Sequence, residues 1–305
     1  MTTSPILQRW YELVGAWRPR IALADGTDER AIRAASQLVV RRLVSPVLVG
    51  PASEIRSVAA AGGISLDGTD IVDTDDEPLI VATRLVSTLD VAGCVAGARV
   101  PTADVIKRAL RAVGTVGRPG LVSSSFFMLM PDDKPISYGD CGVIPDPNPE
   151  QLAKIAIATA DSFRRLAGEE PRVAMLSFST KGSATHPTVT KVLEALALVQ
   201  SMAPDLAVDG ELQFDAAWSP EIAAAKAPGS QVAGRANVFI FPNLDAGNLA
   251  YKITQRLGGA RAYGPLIQGL NRPIHDLSRG CSVDDIVHVA VIAGIEAAAS
   301  QEVTL

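Results

Sequence analysis

The sequence predicts an α/β fold: two three-layer α/β/α lobes whose mainly parallel sheets carry helices on both faces. Three observations predict it. Short apolar runs alternate with stretches of helical spacing along most of the chain, the pattern of strands joined by crossover helices. A length of 305 residues is a prior for two domains, each large enough for its own core. Apolar residues at 48% and charged residues at 20% are the composition of a globular chain, which excludes disordered and collagen-like architectures.

The elements follow in order. Arg20–Ala24 is an apolar run closed by Asp25-Gly26-Thr27, and Glu29–Val40 has helical spacing at Ile32, Ala35, Leu38 and Val39. Val44–Val49 is a second strand before Gly50-Pro51, Ser53–Ala61 a short helix, and Ile71–Asp73 a third strand. Pro78–Leu89 reads as a helix, Val91–Ala96 as a strand, and Thr102–Val113 as a helix with Thr102 as its N-cap. Pro131–Pro149 holds five prolines in nineteen residues and reads as a break between lobes or as a long hairpin at a domain edge. Beyond it come the helix Pro149–Leu166, the strand Val173–Ser177, the helix His186–Ser201, the strand Val238–Phe241 and a final helix Ser282–Ser300.

A formal net charge of −5 gives no general attraction to a phosphodiester backbone, so a nucleic-acid binder is not expected, although a local basic pocket for one phosphorylated molecule is compatible. Cys94, Cys141 and Cys281 have neither paired nor metal-ligand spacing, which points to buried thiols in a reducing compartment. The first twenty residues are punctuated by Gln8, Arg9, Glu12 and Arg18 and do not read as a signal peptide; no uncharged run is long enough to span a bilayer. The expected location is cytoplasmic.

Open parallel sheets bind ligands at the carboxyl ends of their strands, and two segments there carry chemistry. In Leu176–Ala184 a strand empties into hydroxyls, Lys181 and Gly182 before a helix, so Ser177, Ser179, Lys181 and Gly182 read either as a phosphate cradle or as a well-capped turn. It is not a P-loop, because GxxxxGK[ST] is absent. In Asn271–Asp285, Ser282 and Asp285 stand in the relation of a capping box. Two readings are open there: a cap with a polar loop, or a site in which Arg279 offers a forked donor, Ser278 a hydroxyl and Asp285 a carboxylate base. Asp209, Glu211 and Asp215 read as a solvated turn or partners for Lys226 and Arg235 rather than a cation site, and Tyr263-Gly264-Pro265 as a turn bearing a phenol.

At these residues the chain resembles the phosphate acetyltransferase family, whose relatives include phosphate butyryltransferases. The resemblance runs from Asp146 onward through Val173–Ala184, Val208–Gln213, Lys226–Ser230, Ala236–Pro242, Gly247–Lys252, Ala262–Pro265 and Asp276–Ser282, and more weakly through Arg20–Arg30 and Thr102–Asp104. It implies reversible acyl transfer between an acyl phosphate and coenzyme A, with coenzyme A as substrate, no permanently bound cofactor, no metal and no covalent acyl-enzyme. It implies Asp285 as thiol base, Arg279 as the group that holds the phosphate and polarises the carbonyl, Ser278 as a transition-state donor, and Tyr263 and Thr102 lining the acyl-phosphate site. It implies a lobe of residues 1–122 with 275–305, a second of 123–274, an active-site cleft between them, and a homodimer, with which a small-residue face at Ala297–Ala299 is compatible. Two departures stand out: Asp73–Val91 is abbreviated, and Val100-Pro-Thr-Ala-Asp104 replaces His-Ser-Thr-Ala-Asp. Both fall where the family grips coenzyme A phosphates, so Lys107, Arg108 and Arg84 become the candidates for that task. Propionyl or butyryl preference, an acyl-phosphate sensor and a decarboxylating dehydrogenase of similar architecture are the competing readings.

Overall fold

The computed structural model describes residues 4–117 and 120–300. It divides into two compact units, Met1–Gly120 with Tyr263–Leu305, and Leu121–Ala262. The boundaries expected from the resemblance fall after residues 122 and 274. Tyr263 belongs with the first unit because its ring packs edge-on against Trp10, with centroids 5.3 Å apart.

The chain enters the first unit as helix α1 (Pro5–Trp17), β1 (Arg20–Leu23), α2 (Glu29–Val40), β2 (Ser45–Gly50), α3 (Ala52–Ala61), β3 (Asp70–Asp73), α4 (Pro78–Ser87), β4 (Gly93–Ala96) and α5 (Thr102–Val113). The second unit follows as β5 (Ser123–Leu129), β6 (Pro135–Gly139), α6 (Pro149–Ala167), β7 (Arg172–Leu176), α7 (Pro187–Met202), β8 (Ala207–Leu212), α8 (Phe214–Trp218), α9 (Pro220–Lys226), β9 (Val238–Ile240) and α10 (Leu244–Arg256). Strand β10 (Arg261–Gln268) carries the chain back, and β11 (Ile274–Asp276) and α11 (Val283–Ser300) complete the first unit.

The first sheet runs β11-β4-β1-β2-β3, all parallel. Strand period decides its two faces. Ala22, Val47, Val49, Cys94 and Ala96 pack with Leu79, Val81, Ala82 and Val86 of α4 and Val105 and Ala109 of α5. Ile21, Leu23, Leu48 and Val95 alternate with them and are equally buried, on the side where α11 packs on α2, α1 and β4. Helix α2 starts as its composition dictates: the Asp28 side chain accepts from Arg30 N, and Glu29 sits in the positive first turn.

The second unit's strands run β5-β6-β9-β7-β8, parallel except for the antiparallel β5–β6 hairpin. Of the two readings of Pro131–Pro149, the hairpin is the one observed, and Pro135 opens its return strand. Helix α6 carries a full capping box between Asn148 and Gln151, Pro149 in its first turn, and Gly168 in a left-handed cap.

Several expectations need correcting. Pro5–Trp17 is a helix beyond those the sequence pattern predicts, and Trp10 and Val14 are fully buried on it. Pro101, not Thr102, is the N-cap of α5. Asp209 and Glu211 lie inside strand β8 and Tyr263 inside β10, so neither segment is the turn that its polar residues suggested. Ala297 and Ala298 are buried within the first unit, so the small-residue face packs inside its own subunit. Among the described residues no helix is long and apolar enough to cross a membrane.

Candidate active site

In a sheet of order β3-β2-β1-β4-β11 the connections reverse direction at β1 and β4, and ligands bind beyond the carboxyl ends of strands at such a point. Three loops leave the sheet there: Ala24–Asp28 after β1, Gly97–Pro101 after β4, and Leu277–Ser282 after β11. Arg30 ties all three together. Its Nε and Nη2 form a fork on Asp28, at 3.0 and 2.8 Å. Nη2 also donates to Ala98 O at 3.2 Å, and Nη1 to the carbonyls of Arg279 and Cys281 at 2.9 and 3.0 Å. The fork holds the Asp28 carboxyl below its usual range and keeps the guanidinium charged.

The loop so held presents Ser278 and Arg279 to solvent. The Arg279 guanidinium makes no hydrogen bond to the described residues, and Ser278 Oγ accepts one from Gly280 N at 3.3 Å. Asp285 and Ser282 form the reciprocal cap that their spacing predicts: Oδ2 accepts from Ser282 N at 2.8 Å and Ser282 Oγ at 2.9 Å, while Asp285 N donates back to Ser282 Oγ at 3.2 Å. Asp285 Oδ1 has no partner among the described residues and remains available. The neighbouring Cys281 thiol is pushed up to about 11 by burial, so it stays protonated and is no nucleophile.

Thr102 is engaged in an unanticipated way. Its hydroxyl donates to Asp276 Oδ2 at 2.5 Å, joining the start of α5 to the end of β11 two residues before Ser278. Asp276 is only 1% exposed, and burial pushes its carboxyl up to about 6. Asp25, at the end of β1, is likewise raised by burial, although it accepts Ala98 N at 3.0 Å. Gly97 is required between them: it has φ +102°, and a Cβ there would lie 2.0 Å from Asp276 Oδ1.

The other expected residues of this unit are more dispersed. Tyr263 is buried against Trp10 and the His288 ring. Arg108 is bound to Glu77 at 3.0 Å, and Glu77 lines a cavity of about 330 Å³ with Asp25, Thr27, Glu54 and Arg99. Lys107 and Arg84 are exposed on α5 and α4.

In the second unit the Ser177–Ala184 loop directs its donors inward. Glu211 is 1% exposed, and its Oε1 accepts from Ser179 Oγ at 2.8 Å and Gly182 N at 2.7 Å. Lys181 is paired with Asp209 and donates to Gly210 O at 3.0 Å. Ser177 Oγ accepts from Ser179 N at 3.2 Å. The Ser179 hydroxyl and the Gly182 amide are thus taken up by a buried carboxylate. Asp209 also accepts from Ser230, and Asp215 pairs with Lys226, which holds it below the usual carboxylate range. Among the described residues no cluster of His, Cys, Asp and Glu suits a metal ion.

Sequence reasoning missed Asp25, Asp28, Arg30 and Asp276 as site groups. The available signal was charge placed immediately after a buried strand, where an α/β sheet presents ligand-binding loops.

Comparison with known proteins identifies the family. Residues 5–80 and 74–294 match the model of the phosphate acetyl/butaryl transferase family. A phosphate acetyltransferase of Acetivibrio thermocellus is 43% identical, over 91% of this chain and 93% of its own. A phosphotransacetylase structure from Streptococcus pyogenes superposes with a TM-score of 0.90 at 37% identity, over 97% of this chain and 99% of that one. One from Staphylococcus aureus gives 0.89 at 36%, over 96% and 98%. The match spans both stretches of the first unit and the whole of the second, and the chain belongs to the phosphate acetyl/butaryl transferase family.

Proposed function

We propose that the protein catalyses reversible acetyl transfer between acetyl phosphate and coenzyme A. The thiol sulfur attacks the carbonyl carbon, Asp285 takes the thiol proton, and the bond from carbon to the phosphate oxygen breaks, its electron pair leaving with phosphate. Arg279 holds the phosphate and polarises the carbonyl, and Ser278 donates to the oxygen on which charge develops. The observation that carries this reading is the division of labour on Asp285: Oδ2 is occupied as the cap, and Oδ1 is left to receive a proton. Cap and base are compatible roles for one carboxylate. A free thiol titrates near 8.5, so transfer to a carboxylate must be coupled to attack. Thr102 lines the acyl-phosphate side, and Lys107, Arg108 and Arg84 meet the coenzyme A phosphates.

The test is thioester formation from acetyl, propionyl and butyryl phosphate with coenzyme A. Fast turnover that collapses in Arg279→Ala and Asp285→Ala supports the assignment and ranks the acyl groups. Absence of turnover from folded protein at saturating coenzyme A moves the sensor reading to first place.

A homodimer is the assembly this reading carries. Its support is a stripe along α10 and its C-cap, where Leu249, Ile253 and Leu257 recur every four residues at 60%, 55% and 85% exposure. Asp245 and Arg256, near the two ends of that helix, are the charges that an antiparallel two-fold pairing matches. Light scattering of wild type against Ile253→Glu checks it, the variant running as monomer.

A further inference from the structure

We propose that Asp276 is a positioning residue that decides which way the Thr102 hydroxyl hydrogen points, and so whether Thr102 offers an acyl phosphate a donor or only an acceptor. The proposal rests on the reading above that Thr102 lines the acyl-phosphate site.

A threonine hydroxyl has one hydrogen and two lone pairs, whereas an ionised carboxylate only accepts. With Asp276 ionised, the Thr102 hydrogen is committed to Oδ2 at 2.5 Å, and the hydroxyl can only accept from a ligand. When Asp276 carries a proton on Oδ2, that O–H donates to Thr102 Oγ1 across the same distance. The Thr102 hydrogen is then free to turn to a phosphoryl oxygen. No heavy atom has to move.

The surroundings make the protonated form accessible. Asp276 is 1% exposed, and its Oδ1 is buried without a well-formed hydrogen bond, Leu277 N being the nearby donor. Among the described residues no cation compensates the carboxylate. Arg30 is committed to Asp28 and the loop carbonyls, and Arg99 Nη1 donates to Thr27 at 2.9 Å. On β11 itself His275 faces Glu296 of α11, at 3.2 Å. The remaining charged or titratable groups on the packed elements are Cys94 of β4, Asp104, Lys107, Arg108 and Arg111 of α5, and Asp284, Asp285 and His288 of α11. The charge that acts on Asp276 is the like charge of Asp25. Burial and that repulsion both favour the neutral acid, and its carboxyl is pushed up to about 6.

The experiment measures KM for acetyl phosphate at saturating coenzyme A from pH 5 to 8, in wild type, Thr102→Val, Thr102→Ser and Asp276→Asn. The substrate's own titration is shared by all four and cancels in ratios at each pH. The KM ratio of Thr102→Val to wild type is expected to rise about three- to tenfold as pH falls through 6, the range one gained hydrogen bond supports. Thr102→Ser keeps the wild-type profile. In Asp276→Asn the amide nitrogen donates permanently to Thr102, so the KM ratio of Thr102→Val to Asp276→Asn stays at its low-pH value up to pH 8. A Thr102→Val ratio that does not change with pH overturns the proposal, as does an Asp276→Asn enzyme that follows the wild-type course. If Asp276→Asn does not fold, the two Thr102 variants still decide. Loss of the parent reading is distinguishable, because wild type itself then makes no thioester, whereas failure of this proposal alone leaves wild type active.

Discussion

Arg30 and Arg279 lie far apart in the chain, yet the guanidinium of the first donates to the carbonyl oxygen of the second at 2.9 Å. The same nitrogen reaches Cys281 O, so one side chain braces the backbone on both sides of Gly280. The exposed Arg279 side chain therefore projects from a fixed base.

Arg30→Lys tests that bracing. A lysine keeps the charge but cannot hold the Asp28 fork and two carbonyls at once. The expected result is a fall in kcat of about a hundredfold, the scale of a small misplacement of catalytic groups, with a lesser change in KM. Steady-state kinetics in both substrates separates the two, and a loss confined to KM for coenzyme A contradicts a positioning role.

Asp276→Asn should make the protein more stable at neutral pH. An aspartate in the unfolded chain titrates near 3.9, and this one is raised to about 6 when folded. The folded state then holds a proton that the unfolded state has lost, so the group's favourable contribution is complete below about pH 4 and gone above 6. Asparagine lacks that dependence, giving an advantage of up to roughly 2–3 kcal/mol at pH 7.5 that vanishes near pH 4. Urea midpoints at the two pH values check it; an equal advantage at both contradicts it.

Two glycines near the site should respond to alanine by very different amounts. At Gly97, with φ +102°, an added Cβ meets Asp276 Oδ1 at 2.0 Å and Leu277 N at 2.8 Å, so Gly97→Ala should cost about 2 kcal/mol or more. At Gly280 the nearest atom is Ser278 Oγ at 3.9 Å, and the change should stay within about 0.5 kcal/mol. Denaturant unfolding of both variants settles the comparison.

Glu211→Ala should destabilise the Ser177–Ala184 loop, because Ser179 Oγ and Gly182 N lose their shared acceptor. A cost of about 1–3 kcal/mol is expected for donors left buried and unpaired. Neither Mg²⁺ nor a chelator should move the melting temperature of wild type, since the three acids already have protein partners. A chelator-induced drop indicates a cation there.

The layered fold was legible because its strands and helices obey single, local periods. The helix Glu29–Val40 is found where its spacing put it, and Pro149 and Pro187 each stand in the first turn of a helix near the expected start. What misled was polarity used as a sign of a turn. Asp209 and Glu211 sit in a strand because Lys181, Ser179 and Ser230 come from distant segments to satisfy them. The Ser282–Asp285 cap was readable, being three residues long. The Thr102–Asp276 bond was not, since no local spacing relates residues on a helix and a strand brought together by sheet order.

The strand that delivers Asp276 arrives last. During synthesis β4 emerges early, but β11, its neighbour on one edge, lies beyond the whole of the second unit. Until those residues leave the ribosome, β4 is an open edge of apolar Cys94, Val95 and Ala96, the kind of surface that pairs with other chains. The second unit, Leu121–Ala262, is complete by then. The order of translation therefore places the Leu277–Ser282 loop after the whole of the second unit, and ties its positioning to closure of the nascent sheet's exposed edge.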